Sequence, residues 1–183
     1  MALTRTTTMK KLNLGAGEDI KKSTEKETWV NQDWIQLPGI DIVANLNKKL
    51  PFKTNEFDEV FCSHVLEHVD DLIFTMSELH RITKAKGRII IRGPHFSCGV
   101  SYWDPTHKTL LSYFTFDFFT KKTYYKTPKF RILKRKLNFT RMHYTFLNKV
   151  FNPLINFNPT LYERFFCWIF PASEVLAELE VDK

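Results

Sequence analysis

Two apolar runs constrain the fold of this chain more than any other feature. "FDEVFCS" (57–63) leads into the segment "DDLIFTMSELHRITKAKG" (70–87), and "GRIIIRGP" (87–94) follows it. The first run is mostly apolar, as a strand covered on both faces would be, and the second is an unbroken Ile run halted by Gly93-Pro94. In the segment between them Leu72, Ile73, Met76, Leu79 and Ile82 recur three and four apart, which places them on one helical face. Asp70 is the expected N-cap, and Gly87 sits where a helix stop belongs. Strand, helix, strand in that order predicts a crossover unit in a parallel sheet.

Earlier runs add strands to it. "KKLNLGAGED" reads as a short strand over Lys11 to Leu14 that enters Gly15-Ala16-Gly17. "TWVNQDW" ends a second strand at Asp33, and "GIDIVANL" ends a third near Ala44. Seven residues lie between Asp33 and Asp41, too few for a packed crossover helix, so the early part of the sheet is expected to be thinly covered. "FRILKRKLNF" (130–139) alternates apolar and basic residues as an edge strand does, and "EVLAELEV" alternates again near the end. The fold class expected is α/β: a doubly wound, mostly parallel sheet with short early crossovers and an antiparallel C-terminal edge. One domain is expected over 1–183, with 1–10 a flexible polar leader.

Composition narrows the function classes. The 183 residues are 43% hydrophobic and 15% aromatic, enough for a real core. Cys62, Cys98 and Cys167 are scattered and odd in number, which points to a reducing, cytoplasmic setting. No run approaches a membrane span or a signal-peptide core. Charge is uneven: residues 108–149 hold eleven Lys or Arg against Asp117 alone, whereas the first hundred hold fourteen basic and thirteen acidic residues. Such a basic stretch suits nucleic acid, an anionic membrane surface or a phosphorylated substrate, and equally a solvated edge strand.

Ligands of such sheets bind outside the carboxyl ends of the strands. Leu14-Gly15-Ala16-Gly17, Asp33-Trp34, Asn45-Leu46 and Ser63-His64 all fall there. The glycines admit a ligand close to the backbone, and Asp33, sixteen residues after Gly17, suits ribose hydroxyls. A dinucleotide is poorly served. The third glycine of its fingerprint is replaced by Ile20, and Glu18-Asp19 stand where pyrophosphate would lie. A phosphate-free nucleoside with a cationic centre fits better.

"LNLGAG", Asp33, "FDEVFCSHVLEHVDD", "HRITKAKGRIIIRGPHF" and "DPTHKT" followed by "FDFF" resemble the small bacterial and archaeal class I S-adenosylmethionine-dependent methyltransferases of the type 11 group. The resemblance is good over residues 11–119 and looser beyond. It implies a Rossmann-like methyltransferase fold, S-adenosylmethionine as cofactor, and methyl transfer to a small-molecule, sugar or lipid-linked acceptor. It also implies roles for residues: Gly15 and Gly17 at the methionine portion, Asp33 at the ribose, Asn45 and Leu46 at the adenine, and Ser63 at the cofactor's inner edge. Asn13 stands where many such enzymes carry an acid, and Asn45 replaces the usual Asp, so two charges are missing.

The histidines are the candidate acceptor-side groups. His64-x-x-Glu67-His68 has the spacing of a zinc hydrolase motif, but that chemistry needs all five residues in one helix. Here the motif begins at a strand end, and no metal is expected. His68, His95, Asp104 and His107 are expected to share one rim as hydrogen-bonded walls of a site. His64, His95 and His107 are the candidate general bases, with Asp104 to orient an imidazole. Three readings stay open: a methyltransferase, a catalytically inactive scaffold of this fold, and an RNA-directed enzyme using residues 108–149. The last is disfavoured for base amines, because "CSHV" replaces the Asn-Pro-Pro-Tyr/Phe motif they need. The aromatic tail 146–170 is expected to pack on the sheet or on a second copy, with peripheral membrane contact as the rival reading.

Overall fold

Leu12 and Leu14 alternate with Asn13 along the first strand, and all three are buried. In the computed structural model, which describes residues 8–121 and 124–183, that strand is β1 (Met9–Leu14). It pairs in parallel with β2 (Glu27–Asp33) on one side and β4 (Phe57–Ser63) on the other. β3 (Ile42–Val43) is only two residues long and lies outside β2. β5 (Thr83–Pro94) follows β4 in parallel. β7 (Glu174–Asp182) lies antiparallel between β5 and the edge strand β6 (Lys129–Asn138), giving the order β3-β2-β1-β4-β5-β7-β6. The mostly parallel α/β sheet with an antiparallel C-terminal edge is as expected. Of the leader, residues 1–7 lie outside the described residues, while Met9 and Lys10 already belong to β1.

Helix α1 (Leu72–Ile82) joins β4 to β5 and buries Met76, Leu79 and Ile82 completely. Both expected ends of the helix need correction. The cap is Asp71, whose Oδ1 accepts from the Phe74 N–H at 3.0 Å. Asp70 instead holds the Asn47 amide and Lys108. The helix stops at Thr83, which turns extended and starts β5 at once. Thr83 opposes Phe57 and Arg88 opposes Glu59, so "TKAKG" is a bulge within the strand, with Lys86 left-handed at φ 60°. Gly87 belongs to that bulge. A Cβ there would sit 2.6 Å from the Thr83 methyl and 2.9 Å from the Asp58 carbonyl.

No helix separates β1 from β2, β2 from β3 or β3 from β4, so the thin cover read from the short connections is present. One consequence is that β4 is not buried on both faces. Val60 and Cys62 are buried, whereas Phe61 is half-buried, with Lys21 and Arg92 over its ring at 5.2 and 5.7 Å. The principal core runs from Leu12 and Leu14 through Val60, Leu79 and Ile91 to Leu179. A second, smaller core of Leu111, Leu137, Ile155, Tyr162 and Val175 lies under the C-terminal segment. Helices α2 (Val100–Trp103) and α3 (Asn148–Phe157) belong to that later part. Among the described residues no helix is long and apolar enough to cross a membrane.

Candidate functional site: a cleft at the carboxyl ends of the strands

Gly15 follows β1 with φ 62°, and a Cβ there would lie 2.5 Å from Cγ2 of Val65. The chain can therefore pass the turn after β4 only without a side chain. Its N–H points to Gln32 Oε1 at 3.3 Å, and the Gln32 amide donates to the Ala44 carbonyl at 2.7 Å. A fully buried glutamine thus ties the ends of β1, β2 and β3 together. Gly17 is also left-handed, with open space where its Cβ would be. Its N–H donates to Asp33 Oδ2 at 2.8 Å, while Asp33 Oδ1 accepts from Trp34 and Ile35.

These loops border a cleft of about 670 Å³ lined by Gly15, Gln32, Asp33, Trp34, Asn45, Leu46 and Asn47. His64, Val65, His68, Val69 and the 105–108 loop face them across it. The volume suits a nucleoside-sized ligand. Asp33 accepts three backbone N–H groups and keeps acceptor capacity for a ribose hydroxyl. The glycine turn leaves space beside it. Of the cofactor candidates, Gly15, Asp33, Trp34, Asn45 and Leu46 line the cleft. Leu14 and Ala16 are buried beneath it, Gly17 shapes the turn, and Ser63 is set back at the end of β4. Asn45 has its side-chain oxygen taken up by the Asn47 N–H at 2.9 Å. Asn13 is a structural link: it donates to the Asp19 carbonyl and to Asn31 Oδ1. Gln32, Asn47, Val65 and Thr106 were not legible as lining residues, because only pairing of distant strands brings them together. A smaller hollow of about 430 Å³ lies at the other end of β4 and β5, by Asp58 and Lys84.

The motif His64-x-x-Glu67-His68 is not helical throughout. His64 adopts φ 57°, and Leu66–His68 form a single 3-10 turn. His64 Nε2 donates to Glu174 Oε1 at 3.2 Å, and Nδ1 lies 3.3 Å from Glu67 Oε1. Burial works against its charged form, but the two carboxylates outweigh it and raise its pKa above the ordinary value. Glu174 is correspondingly lowered despite its own burial, through His64 and the Asn138 amide. With a carboxylate beside each nitrogen His64 favours its protonated form more than a free imidazole does, which makes it a poorer general base.

The expected rim of histidines is divided. His95 is fully buried away from the cleft. Its Nδ1 accepts from the Ser97 N–H at 3.2 Å, so Nε2 carries the proton and donates to Glu163 Oε1 at 3.0 Å. Glu163 also accepts from the Tyr113 N–H. His95 is a pin for the second core, which removes it from the candidate bases. His68 and His107 do come together, with ring centroids 4.7 Å apart, and Asp104 Oδ2 stands 3.6 Å from His107 Nε2. Glu67 lies beside them.

Comparison with known proteins agrees with this geometry. The family described as "Methyltransferase domain", type 11, matches residues 16–91. A demethylmenaquinone methyltransferase of Streptomyces avermitilis is 41% identical over 61 residues, which is 33% of this chain and 24% of that protein. An uncharacterised protein of Methanocaldococcus jannaschii is 52% identical over 50 residues, 27% of this chain and 21% of that protein. The chain therefore spans about a quarter of the length of these relatives. The crystal structure of a SAM-dependent methyltransferase from Archaeoglobus fulgidus superposes with a TM-score of 0.58 at 18% identity, over 96% of this chain and 87% of that one. Residues 16–91 are thus similar to the type 11 methyltransferase domain, and the sheet as a whole shares its fold with solved S-adenosylmethionine-dependent methyltransferases.

Proposed function

We propose that this chain transfers the methyl group of S-adenosylmethionine to an apolar, lipid-type acceptor. The cofactor supplies an already activated methyl group, so the protein has to align the acceptor and exclude water. Gly15, Asp33, Asn45 and Leu46 would hold the cofactor. His64, tied to two carboxylates, would fix the wall opposite.

The observation that carries the acceptor class is an exposed aromatic flank continuous with the loop beside the cleft. Trp168 is 65% exposed, and its ring meets Phe96 at 5.7 Å and Tyr102 at 6.4 Å. The same loop continues through Pro105 and Thr106, which line the cleft. Val150, Leu154 and Phe157 stand exposed along one side of α3, next to Lys149 in the chain. A surface of this kind suits contact with a lipid surface or a second copy. The matched relatives named for demethylmenaquinone carry an acceptor of that chemical type in their name, which supports the reading.

The test offers methyl-labelled S-adenosylmethionine with a lipid extract and, separately, with soluble sugars and with RNA. Label in the organic phase, lost with Asp33→Ala, is the expected result. Label only in sugar or RNA overturns the acceptor class. Saturable binding of S-adenosylhomocysteine without turnover on any of the three favours the inactive scaffold.

A further inference from the structure

Beneath the loop 104–108, Glu67, His68 and His107 each bring one ligand atom within 4.8 Å of the other two, the only such group among the described residues. The positions of the protons decide what this cluster can hold. The Thr106 hydroxyl donates its one proton to Asp104 Oδ1 at 2.6 Å. At its 2.9 Å contact with His68 Nδ1 the ring must therefore be the donor, which leaves His68 Nε2 a bare lone pair. The His107 ring turns Nε2 to Asp104 Oδ2, and its buried Nδ1 has no hydrogen-bond partner. Glu67 is 1% exposed, and neither of its carboxylate oxygens accepts a hydrogen bond. His64 Nδ1 stands 3.3 Å from Oε1 and partly offsets the charge of the carboxylate.

The cluster thus gathers three side chains of ligand chemistry, in which both Glu67 oxygens and His107 Nδ1 are buried without a hydrogen-bond partner. A buried carboxylate with His64 at one side and no hydrogen bond at either oxygen is stabilised further by coordination. Two imidazole nitrogens and one carboxylate oxygen form a donor set for a borderline divalent ion, with a position left open. The outer contacts are of the kind that orient such ligands. Asp104 stands 3.6 Å from His107 Nε2 and reaches His68 through Thr106, which fixes the tautomer of His68. The fold explains why the motif reads misleadingly in the sequence. The left-handed turn at His64 diverts that residue to Glu174, and the 3-10 turn then presents Glu67 and His68 to His107, which arrives from another loop.

We propose that Glu67, His68 Nε2 and His107 Nδ1 hold one divalent first-row transition-metal ion of the zinc type, in the wall of the cofactor cleft. Ligands of a tetrahedral zinc at about 2.1 Å stand roughly 3.4 Å apart, so the cluster contracts on binding.

The test uses the full chain stripped with chelator, titrated with zinc chloride by calorimetry and with cobalt(II) by absorption. One equivalent per chain is expected, with visible cobalt bands and no thiolate-to-cobalt charge-transfer band. Glu67→Gln and the partly exposed His68→Gln should each weaken zinc binding by at least about a hundredfold, and Asp104→Asn by roughly 10–100-fold. Cys98→Ser and His80→Gln should leave it unchanged. S-adenosylhomocysteine binding by Glu67→Gln, measured on the same sample, shows that the variant is folded. No saturable zinc binding overturns the proposal, as does binding that survives Glu67→Gln and His68→Gln, or a thiolate band. The titration needs neither acceptor nor cofactor, so its failure is distinct from failure of the methyl-transfer reading.

Discussion

Up to Pro94 the chain hides its large apolar side chains, and after Pro94 it displays them. Among the described residues, four large hydrophobics of the first part are exposed (Met9, Trp34, Ile35 and Val43), against nineteen of the second. The first part gains its stability from strands that bury alternate residues against α1. The second part hangs on the sheet through β6 and β7, with a small core of its own and an aromatic surface turned outward. The contrast separates a part whose residues are fixed by packing from a part that leaves many large apolar side chains exposed. Substitutions should divide along the same line.

The largest expected effect is in the first part. Leu79→Ala empties a fully buried site on α1 and should cost about 2–5 kcal/mol in urea unfolding. Phe157→Ser, at a residue 90% exposed, should stay within about 0.5 kcal/mol. A Phe157→Ser cost above about 2 kcal/mol that grows with protein concentration would break the comparison. It would show the flank to be covered by a second copy rather than free.

Gly15→Ala comes next. The added methyl would press on Val65 at 2.5 Å in a left-handed turn, so destabilisation of roughly 2–4 kcal/mol is expected, together with loss of S-adenosylhomocysteine binding. Val65→Ala in the same chain should recover part of the stability, because it removes the side chain that is struck. No recovery would place the cost in the backbone alone.

Asp33→Asn should then weaken S-adenosylhomocysteine binding by about 10–100-fold, the range for a charged hydrogen-bond partner, and cost about 1–3 kcal/mol in unfolding, because one of the two oxygens that accept backbone N–H groups becomes an NH2. Titration calorimetry reads it directly. An unchanged affinity would mean that Asp33 serves only the Gly17 turn and the Trp34 and Ile35 N–H groups it already holds.

The same division governs how much the sequence discloses. The strand ends before Gly15 and Asn45 and at Asp33 and Ser63 were legible, since each strand is a short local pattern broken by a turn residue, and the sheet sets their ends side by side. The end of α1 was not. "TKAKG" continues a helical composition, but pairing of Thr83 with Phe57 draws it into β5 as a bulge. His95 was placed on the cleft because it follows β5 directly, yet Glu163, 68 residues later, pulls its ring into the second core. Glu67 read as part of a motif with His64 and His68, and it does keep His64 at 3.3 Å, but His107, forty residues later, is the further companion that no local pattern showed. Local patterns revealed the strand ends, and long-range partners decided what the charged groups do.

The smallest expected effect lies at the seam between the two parts. His80 on α1 donates from Nε2 to the Asp182 carbonyl at 3.0 Å and sets its ring edge-on to Phe130 at 5.4 Å. Burial lowers its pKa, and Lys183 adds to this, against the raising effect of the carbonyl. A depressed folded pKa means that the unfolded chain takes up the proton first. The contribution of His80 is therefore complete above the unfolded value near 6.5 and is lost as pH falls through the lowered folded value. His80→Gln keeps a donor for Asp182 but cannot titrate. Its stability between pH 7 and 5 should fall less steeply than that of the native chain, with the two curves closest above pH 7. Parallel curves across that range would mean that protonation of His80 does not strain the seam, and that α1 meets β7 through apolar contact alone.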